Sequence, residues 1–374
     1  MHMKTNIVIF SGYNQRAIIA FLRTLDESNL TCFIIASSKD DPIFFTKYRK
    51  DVSAIREKRE LDMDDILKCL NSVKNKLSKK DYVVMPTTEA LIRFFLDNGE
   101  LFKKNGFNMP IVHKELYENI SDKYKFSSIC SKYEIIIPRE YDNVTKLEVP
   151  FVAKPKRYYS SSGKVFNPIL IYDEKEKNEF INNYNKEDFY YQEFIEGRSF
   201  YLLYYFSRKG EIYKFSQENF IQQYGGKSII AAVSSDYHER SESLKYEKIF
   251  KDLNFFGLVM IEIRERKGLN YMIEANPRFW GPSQLFVDAG INLFLIMLYD
   301  LNIIKNNPSI DFKKKNISKY FWFGGLFQTL NCDQKPNFYN YSPGRFVGDL
   351  SLWIKSDIYK RSDTVNVFME EIKI

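Results

Sequence analysis

Two apolar β-segments joined by a glycine turn lie between Leu258 and Arg278, where the sequence reads LVMIEIRERKGLNYMIEANPR. Side chains alternate between the two faces of a strand. Alternation therefore predicts one polar face on each segment, carried by Met260 and Glu262 on the first and by Met272, Glu274, Asn276 and Arg278 on the second. If the hairpin is centred on the turn at Gly268, Glu262 lies directly opposite Glu274.

Two carboxylates that face each other across a sheet destabilise it. At a separation of about 5 Å and an effective dielectric constant of about 20, their repulsion is roughly 3 kcal/mol. Since both segments are otherwise apolar, we expect a positive group between the carboxylates, and carboxylate and amide oxygens are ligands that Mg²⁺ prefers. The alternative is a solvent-facing hairpin with exposed acids. The continuation through Pro277 argues against it, because a proline halts a strand.

Composition excludes several classes of protein. Of 374 residues, 44% are hydrophobic and 16% aromatic, which requires buried cores and excludes global disorder. The net charge of +7 permits anionic ligands without indicating nucleic acid. Apolar runs are too short for a signal peptide or a bilayer span, so no membrane partner is expected. Four scattered cysteines and three scattered histidines disfavour disulfides, Cys-based zinc sites and Ser-His-Asp catalysis, and favour a reducing cytoplasm.

The first third of the chain has a parallel α/β pattern. Apolar β-runs at residues 6–10, 31–36 and 82–85 alternate with helical patterns, which predicts a small doubly wound domain over residues 1–115. The turn at Ser11-Gly12-Tyr13-Asn14 contains one glycine where a dinucleotide-binding loop needs several. A plain strand-to-helix turn is therefore favoured, and a loop that faces a substrate at this sheet edge stays open.

The rest of the chain is richer in strands. A helix is predicted over residues 121–137 with Ser121 as its cap, followed by strands typical of an antiparallel α+β region. Further helices are predicted near 243–253 and, deeply buried, at 283–301. The basic stretch at 305–315 is interpreted as a solvated linker rather than a nucleic-acid site.

Several polar residues could bind an anion or a nucleotide. Lys154 ends an apolar strand, where an unpaired lysine is costly unless an anion meets it. The following Ser/Gly loop, residues 158–164, could close over phosphates, or could be an ordinary hairpin loop. Taken alone, Lys123 is more commonly a solvated helical lysine than a phosphate contact. The strand end at 192–195 could offer hydrogen bonds and apolar faces to a purine.

The order of these motifs resembles the ATP-grasp superfamily, and most closely its carbamoyl-phosphate-synthetase-like carboxylate–amine ligases, over roughly residues 5–305. The resemblance implies an N-terminal doubly wound parallel α/β (pre-ATP-grasp) domain, followed by a two-lobed ATP-grasp domain that combines α/β and α+β elements. It implies these divisions: residues 1–115 for the pre-ATP-grasp domain, 116–190 for the small lobe, 191–305 for the large lobe with the Mg-ATP site, and 306–374 for a C-terminal extension.

The resemblance also implies roles for individual residues. Phosphate contacts come from Lys123 and Lys154, and the closing loop from Ser161, Ser162 and Gly163. The adenine slot is formed by Gln192, Glu193, Phe194 and Ile195. The metal is held by Glu262, Glu274 and Asn276, and the phosphoryl group by Arg278. The family usually has a ribose-binding Glu where this chain has Ser199, so Glu196 is the alternative ribose contact. Substrate contacts are expected from Gly226, Lys227 and Arg240, although a solvated lysine remains the alternative for Lys227.

The function implied is an ATP-dependent ligase that joins a carboxylate to an amine through an acyl phosphate and releases ADP and phosphate. ATP and Mg²⁺, with Mn²⁺ as a substitute, are the expected cofactors, and small-molecule carboxylates and amines the expected partners. The alternatives are a carboxylate kinase-like enzyme and a nucleotide-binding regulatory protein without ligation. The sequence leaves a homodimer open.

Overall fold

The computed structural model of the chain describes residues 6–75, 81–308 and 317–373. Its N-terminal part contains a five-stranded sheet in the order β3-β2-β1-β4-β5, with every neighbouring pair parallel. The parallel α/β prediction is confirmed, whereas β3 and β5 were not predicted because they are very short. The elements are β1 Asn6–Phe10, α1 Gln15–Glu27, β2 Cys32–Ala36, β3 Val52–Ile55, α2 Met63–Lys74, β4 Tyr82–Val84, α3 Glu89–Asp97, α4 Gly99–Lys104 and β5 Phe107–Asn108.

The turn after β1 packs against protein rather than forming a cradle. A Cβ at Gly12 would lie 1.9 Å from Ser37 Oγ, so the space beside this glycine is filled. Asn14 adopts a left-handed backbone with φ of 55°. Its Nδ2 donates to the carbonyl oxygens of Thr87 and Phe279, each at 2.9 Å. Asn14 thus connects this turn to the segment that follows the predicted Asn-Pro-Arg motif.

We expect Asn14→Ala to lower the free energy of unfolding by about 2–3 kcal/mol, measured by urea denaturation. Two hydrogen bonds at about 1 kcal/mol each are lost, and alanine costs about 1 kcal/mol in the left-handed region. Asn14→Gly is the matched control, since it loses the same hydrogen bonds without the backbone strain. Equal stabilities for the alanine and glycine variants would contradict the backbone part of this argument.

Two short helices connect the first sheet to the rest of the chain, α5 Lys114–Ser121 and α6 Lys123–Lys132. The predicted cap at Ser121 is wrong. Asp122 caps α6, and its carboxylate accepts a hydrogen bond from the backbone N–H of Lys125 at 2.9 Å. The helical conformation is interrupted between α5 and α6 because the backbone of Asp122 is extended, with ψ of 118°. Lys123 is therefore the first helical residue rather than part of a long exposed helix.

A four-stranded antiparallel sheet follows, in the order β6-β9-β7-β8. Its small core of apolar and aromatic side chains is built around Phe151, Phe180 and Tyr191. The expected division between the small and large lobes, at 190/191, falls within strand β9. The expected lobe boundaries therefore remain a prediction. The elements are β6 Glu140–Tyr141, β7 Phe151–Pro155, β8 Ile169–Ile171, α7 Glu174–Asn183 and β9 Phe189–Glu193.

The largest sheet is antiparallel, in the order β14-β13-β10-β11-β12-β15, with β16 added on β11. Side chains on one face of this sheet, such as Leu203, belong to an apolar cluster that also contains Ile9, and those on the other face, such as Val259, belong to a cluster that contains Val8. The C-terminal segment thus supplies two strands of this sheet. The elements are β10 Arg198–Phe206, β11 Ile212–Gln222, β12 Ile229–Ser235, α8 Ser241–Asp252, β13 Gly257–Arg266, β14 Leu269–Asn276, β15 Lys319–Phe321 and β16 Asn337–Phe338.

The helix predicted at 283–301 is two helices, α9 Gln284–Asp288 and α10 Leu293–Asp300. Gly290, with φ of 81°, interrupts the helical conformation, and the Asn292 side chain caps α10. The predicted burial of α10 is confirmed. In the described residues, no single helix is long and apolar enough to cross a membrane, although the bent pair Gly281–Asp288 and Leu293–Asp300, at 92°, meets that criterion by length and composition.

The last helices are α11 Phe323–Asn331, α12 Pro343–Lys355 and α13 Val365–Glu371. Helices α11 and α12 pack around a cluster that includes Phe321 and Trp353, whereas Val367 of α13 belongs to the cluster that includes Ile9. Of the basic stretch interpreted as a linker, residues 309–315 lie outside the described part of the chain.

Candidate active site

A cavity of about 420 Å³ lies between the four-stranded sheet, the large sheet and the starts of α3 and α6. It collects polar side chains from segments more than 100 residues apart in the sequence. The predicted residues that line it are Lys123, Lys154, Gln192, Glu193, Phe194, Ile195, Gly226, Lys227, Glu262, Glu274, Asn276 and Arg278.

The predicted opposition of the two acids is confirmed, since Glu262 pairs with Glu274 in the antiparallel register of β13 and β14. The prediction that Met272 shares the polar face is wrong. A register shift between Glu262 and Ile263 pairs Ile263 with Met272. Met272 therefore packs in the apolar cluster with Ile263, whereas Ile273 lines the cavity beside Glu274.

Glu274 is held by two polar neighbours. Its Oε2 lies 3.2 Å from Lys123 Nζ, and its Oε1 accepts a hydrogen bond from Asn276 Nδ2 at 2.6 Å. Burial opposes the charged form of Glu274, but Lys123 and Asn276 outweigh it and lower the carboxyl pKa to about 2. The carboxylate is therefore ionised throughout the physiological pH range.

Glu262 has a different partner. Its Oε1 accepts hydrogen bonds from Arg264 Nη2 at 2.8 Å and Nε at 3.1 Å, and both residues are buried. Burial raises the pKa of Glu262, while the Arg264 guanidinium counteracts part of that rise. Separate cations thus relieve the repulsion predicted from the sequence, one for each carboxylate.

Lys154 is 3% exposed, and its Nζ donates to the Ile273 carbonyl oxygen at 2.8 Å. Burial lowers the pKa of this ammonium to about 8, despite the attraction of Glu274. In the described part of the chain, no carboxylate forms an ion pair with it. This incompletely compensated cation faces the cavity, as expected for a residue that meets an anion.

The end of β9 and the residues after it line the cavity. Gln192 is 1% exposed and donates from Nε2 to Glu140 Oε1 at 3.1 Å. Its Oε1 is buried and has no hydrogen-bond partner. The Glu193 side chain forms an ion pair with Arg266 at 2.6 Å. A ligand N–H could satisfy the Gln192 oxygen, because a buried acceptor without a partner is otherwise costly.

Six of the predicted site residues do not line this cavity, and Arg240 is one of them. Ser161 bonds to Asp188, from its backbone N–H at 2.7 Å and its hydroxyl at 2.9 Å. Ser199 is buried and accepts a hydrogen bond from Asn219 at 3.0 Å. The other five are Ser161, Ser162 and Gly163 of the exposed loop, and Glu196 and Ser199 near the start of β10.

Arg240 lies elsewhere as well. It forms an ion pair with Glu265 at 2.6 Å and lines a second cavity, beside β10, β11 and the end of β12. Its distance from the acids could not be foreseen, since the polar segment that carries it gives no register with the sheet.

Sequence reasoning missed two charged residues of the cavity wall, Glu89 and Arg264. Glu89 begins α3, just beyond the carboxyl end of β4, and accepts from Arg93 at 2.9 Å. The rule that ligands favour the carboxyl edge of parallel strands was the available signal for Glu89. Arg264 and Glu262 are two residues apart on one strand and so share a face, which is the signal for Arg264.

Comparisons with known proteins agree with this geometry. Residues 120–282 match the family model of the ATP-grasp domain. A comparison with curated proteins found no match.

Solved structures share the fold at low sequence identity. The Campylobacter jejuni biotin carboxylase, in a β,γ-ATP complex, is 15% identical with a TM-score of 0.61, over 85% of this chain and 75% of that one. The biotin carboxylase domain dimer of Hydrogenobacter thermophilus 2-oxoglutarate carboxylase, in complex with MgADP, ADP and bicarbonate, is 12% identical with a TM-score of 0.59, over 85% and 73%. The L-amino acid ligase from Bacillus licheniformis is 16% identical with a TM-score of 0.56, over 79% and 74%. Residues 120–282 of this chain thus match an ATP-grasp domain, the domain type that the order of its motifs resembles.

Proposed function

We propose that this protein is an ATP-dependent ligase that joins a carboxylate to an amine or a similar nucleophile through an acyl phosphate. The observation that supports it is one cavity in which Lys123, Lys154 and Arg278 face a directly paired Glu262 and Glu274. The same proposal assigns residues 1–115 to a pre-ATP-grasp domain, 116–190 to the small lobe and 191–305 to the large lobe.

The strand end at residues 192–195 fits a purine. The unpartnered Oε1 of Gln192 would accept a hydrogen bond from the adenine amino group, and the main chain of 193–195 would line its edge. The ribose contact is different from the one usual in the family, because Ser199 is bonded to Asn219 and neither it nor Glu196 faces the cavity.

The acids fit magnesium that arrives with a nucleotide. In the described residues, no group of three or more His, Cys, Asp or Glu side chains could hold a metal ion. A magnesium ion commonly takes one or two carboxylates and completes its shell with phosphate oxygens and water. Glu262, Glu274 and Asn276 supply that partial donor set, and the ion, or Mn²⁺ in its place, would neutralise charge on the phosphate oxygens.

The chain's own residues then carry out the remaining tasks. The substrate carboxylate attacks the γ-phosphorus of ATP, and ADP leaves. Lys154 and Arg278 neutralise the charge that develops on the transferred phosphoryl oxygens. Lys227 lines the same cavity and would hold the substrate carboxylate. The amine then attacks the acyl carbon, phosphate departs, and no side-chain nucleophile is needed.

Loop closure over the phosphates has a defined cost in this structure. The Ser161 loop can move only if both of its hydrogen bonds to Asp188 are released. Backbone N–H and hydroxyl donors freed in this way would become available to phosphate oxygens, and closure would exclude water from the acyl phosphate.

The test is an ADP-release screen with Mg²⁺, ATP and a panel of amino acids and small carboxylates, with and without amines. For a ligase, one acid should support ADP release, give a hydroxamate with hydroxylamine, and give an amide product when its amine is added. A phosphorylated product that no amine consumes would instead identify a carboxylate kinase-like enzyme. Binding of MgATP without ADP release for any acid would favour a nucleotide-binding regulatory protein.

A further inference from the structure

The C-terminal segment reaches the wall of the candidate site. Strand β16 pairs with the end of β11, placing Asn337 opposite Gln222, and the Tyr339 backbone N–H donates to the Phe220 carbonyl at 2.9 Å. Tyr339 is 8% exposed, and its hydroxyl donates to Gln222 Oε1 at 2.6 Å. The Arg264 guanidinium carbon lies 4.0 Å from the centroid of the Tyr339 ring. A segment more than 60 residues downstream of β14 therefore contacts the residues behind the two acids.

Gln222 is fully occupied by these contacts. Its Oε1 also accepts from Arg264 Nη2 at 3.0 Å, and its Nε2 donates to the carbonyls of Gly226 at 2.8 Å and Lys227 at 2.9 Å. A primary amide has two donor hydrogens and two acceptor lone pairs, so its capacity is used completely. Gly225 and Gly226 both have φ of 73°, in the left-handed region. Glycine adopts this region without steric cost, so these two residues do not by themselves fix the conformation of the loop. Gln222 is thus the side chain that holds this loop against the cavity.

Arg264 links the same group to the metal-binding face. It donates to Gln222 and Glu262 at once, and its stacking on Tyr339 limits where the guanidinium can lie. If the Tyr339 hydroxyl is removed, Gln222 loses one of its four hydrogen bonds, and the ring that stacks on Arg264 loses the bond that holds it in place.

We propose that Tyr339 is a positioning residue of the candidate active site, which aligns the Gly225–Lys227 loop and the Glu262 carboxylate through Gln222 and Arg264. This inference rests on the proposed function, because Glu262 matters to a ligand only if Mg²⁺ and nucleotide bind there. It makes the C-terminal segment part of the site rather than a separate appendage.

The test measures binding of the non-hydrolysable ATP analogue adenylyl imidodiphosphate to the full chain, in excess EDTA and in a Mg²⁺ titration. Tyr339→Phe keeps the ring and removes the hydroxyl. We expect it to raise the apparent dissociation constant for Mg²⁺ in the nucleotide complex by about 3- to 10-fold, the loss of one hydrogen bond. Affinity in EDTA should not change.

The matched control is Tyr341→Phe. Tyr341 lies in the same segment, and its hydroxyl bonds to Asp349 at 2.7 Å and Trp353 at 2.9 Å rather than to Gln222. A second test is additivity, in which Tyr339→Phe should have no further effect on Mg²⁺ affinity in a Gln222→Leu background.

The outcomes separate the inference from the proposal beneath it. Equal Mg²⁺ affinities for the Tyr339 and Tyr341 variants would overturn the inference alone, as would an undiminished effect in the Gln222 background. A native protein that binds no nucleotide with Mg²⁺ would overturn the proposed function, and this inference with it. An equal loss of affinity in EDTA would show a general structural effect and would also overturn it.

Discussion

We expect Glu274→Gln to lower Mg²⁺-dependent ADP release by about 1000-fold, because it would remove about 4 kcal/mol of charge stabilisation from the proposed phosphoryl transfer. The side chain keeps its size and loses the charge that compensates Lys123, 3.2 Å away. The measurement is ADP release at saturating ATP over a range of Mg²⁺ concentrations, with thermal unfolding recorded for each variant.

Glu265→Gln is the matched control for Glu274. Glu265 is also a carboxylate on this hairpin, but it pairs with Arg240 and lies outside the cavity. Its variant should retain ADP release within about 2-fold of the native protein, as for a surface substitution. Turnover retained by the Glu274 variant, at native unfolding temperature, would remove Glu274 from the metal site.

We expect Lys154 to make the proposed nucleotide affinity depend on pH. Burial lowers its pKa to about 8, so the free protein loses this charge above pH 8, and binding of a triphosphate must then recover the proton. We expect the affinity for the Mg²⁺ complex of the ATP analogue to be constant from about pH 6.5 to 7.5 and to fall up to about tenfold per pH unit above 8. Calorimetric titration at each pH measures it.

The free energy of unfolding changes with pH in the opposite direction to the nucleotide affinity. The unfolded chain holds this proton up to a pKa near 10.5, so between about pH 8 and 10.5 the unfolded state binds more protons and this group makes the native state more stable as pH rises. Below pH 8 both states are protonated, and the cost of burying the charge is present in full.

Lys154→Met should reduce nucleotide affinity at pH 7 by about 100-fold, since a buried phosphate contact is worth about 3 kcal/mol, and should abolish the pH dependence above 8. Lys177→Met is the matched control. Lys177 is also a buried lysine of the four-stranded sheet region that donates to a carbonyl, at 2.5 Å, but it lies outside the cavity. A pH dependence that survives in the Lys154 variant would assign the titration to another group.

Much of the fold follows from local patterns in the sequence. The alternation of β-runs and helical patterns in the first 115 residues predicts the parallel sheet, because each periodicity is a property of a few neighbouring residues. The opposition of Glu262 and Glu274 follows in the same way, since a tight glycine turn sets the register of its hairpin. The buried Lys154 was also foreseeable, because a lysine at the end of an apolar strand is drawn into the interior together with that strand.

Local patterns failed where one residue changed the count or the direction. The register shift beside Ile263 turned Met272 into the core, and an extra residue in a strand leaves no clear mark in composition. Gly290 and Asn292 divided a continuous apolar run into two helices. Asp122, rather than Ser121, capped α6, although both residue types cap well.

The sequence by itself determined which residue types could meet a nucleotide and a metal, because charge, hydrogen-bonding capacity and strand periodicity belong to the residues and their neighbours. Only the tertiary structure decided which of them share a cavity. It left Arg240 and Ser161 outside, and it brought in Glu89 and Arg264. It also placed Tyr339 against Gln222, 117 residues away in the chain. Such contacts depend on sheet order and packing across the whole domain, which no short stretch of sequence specifies.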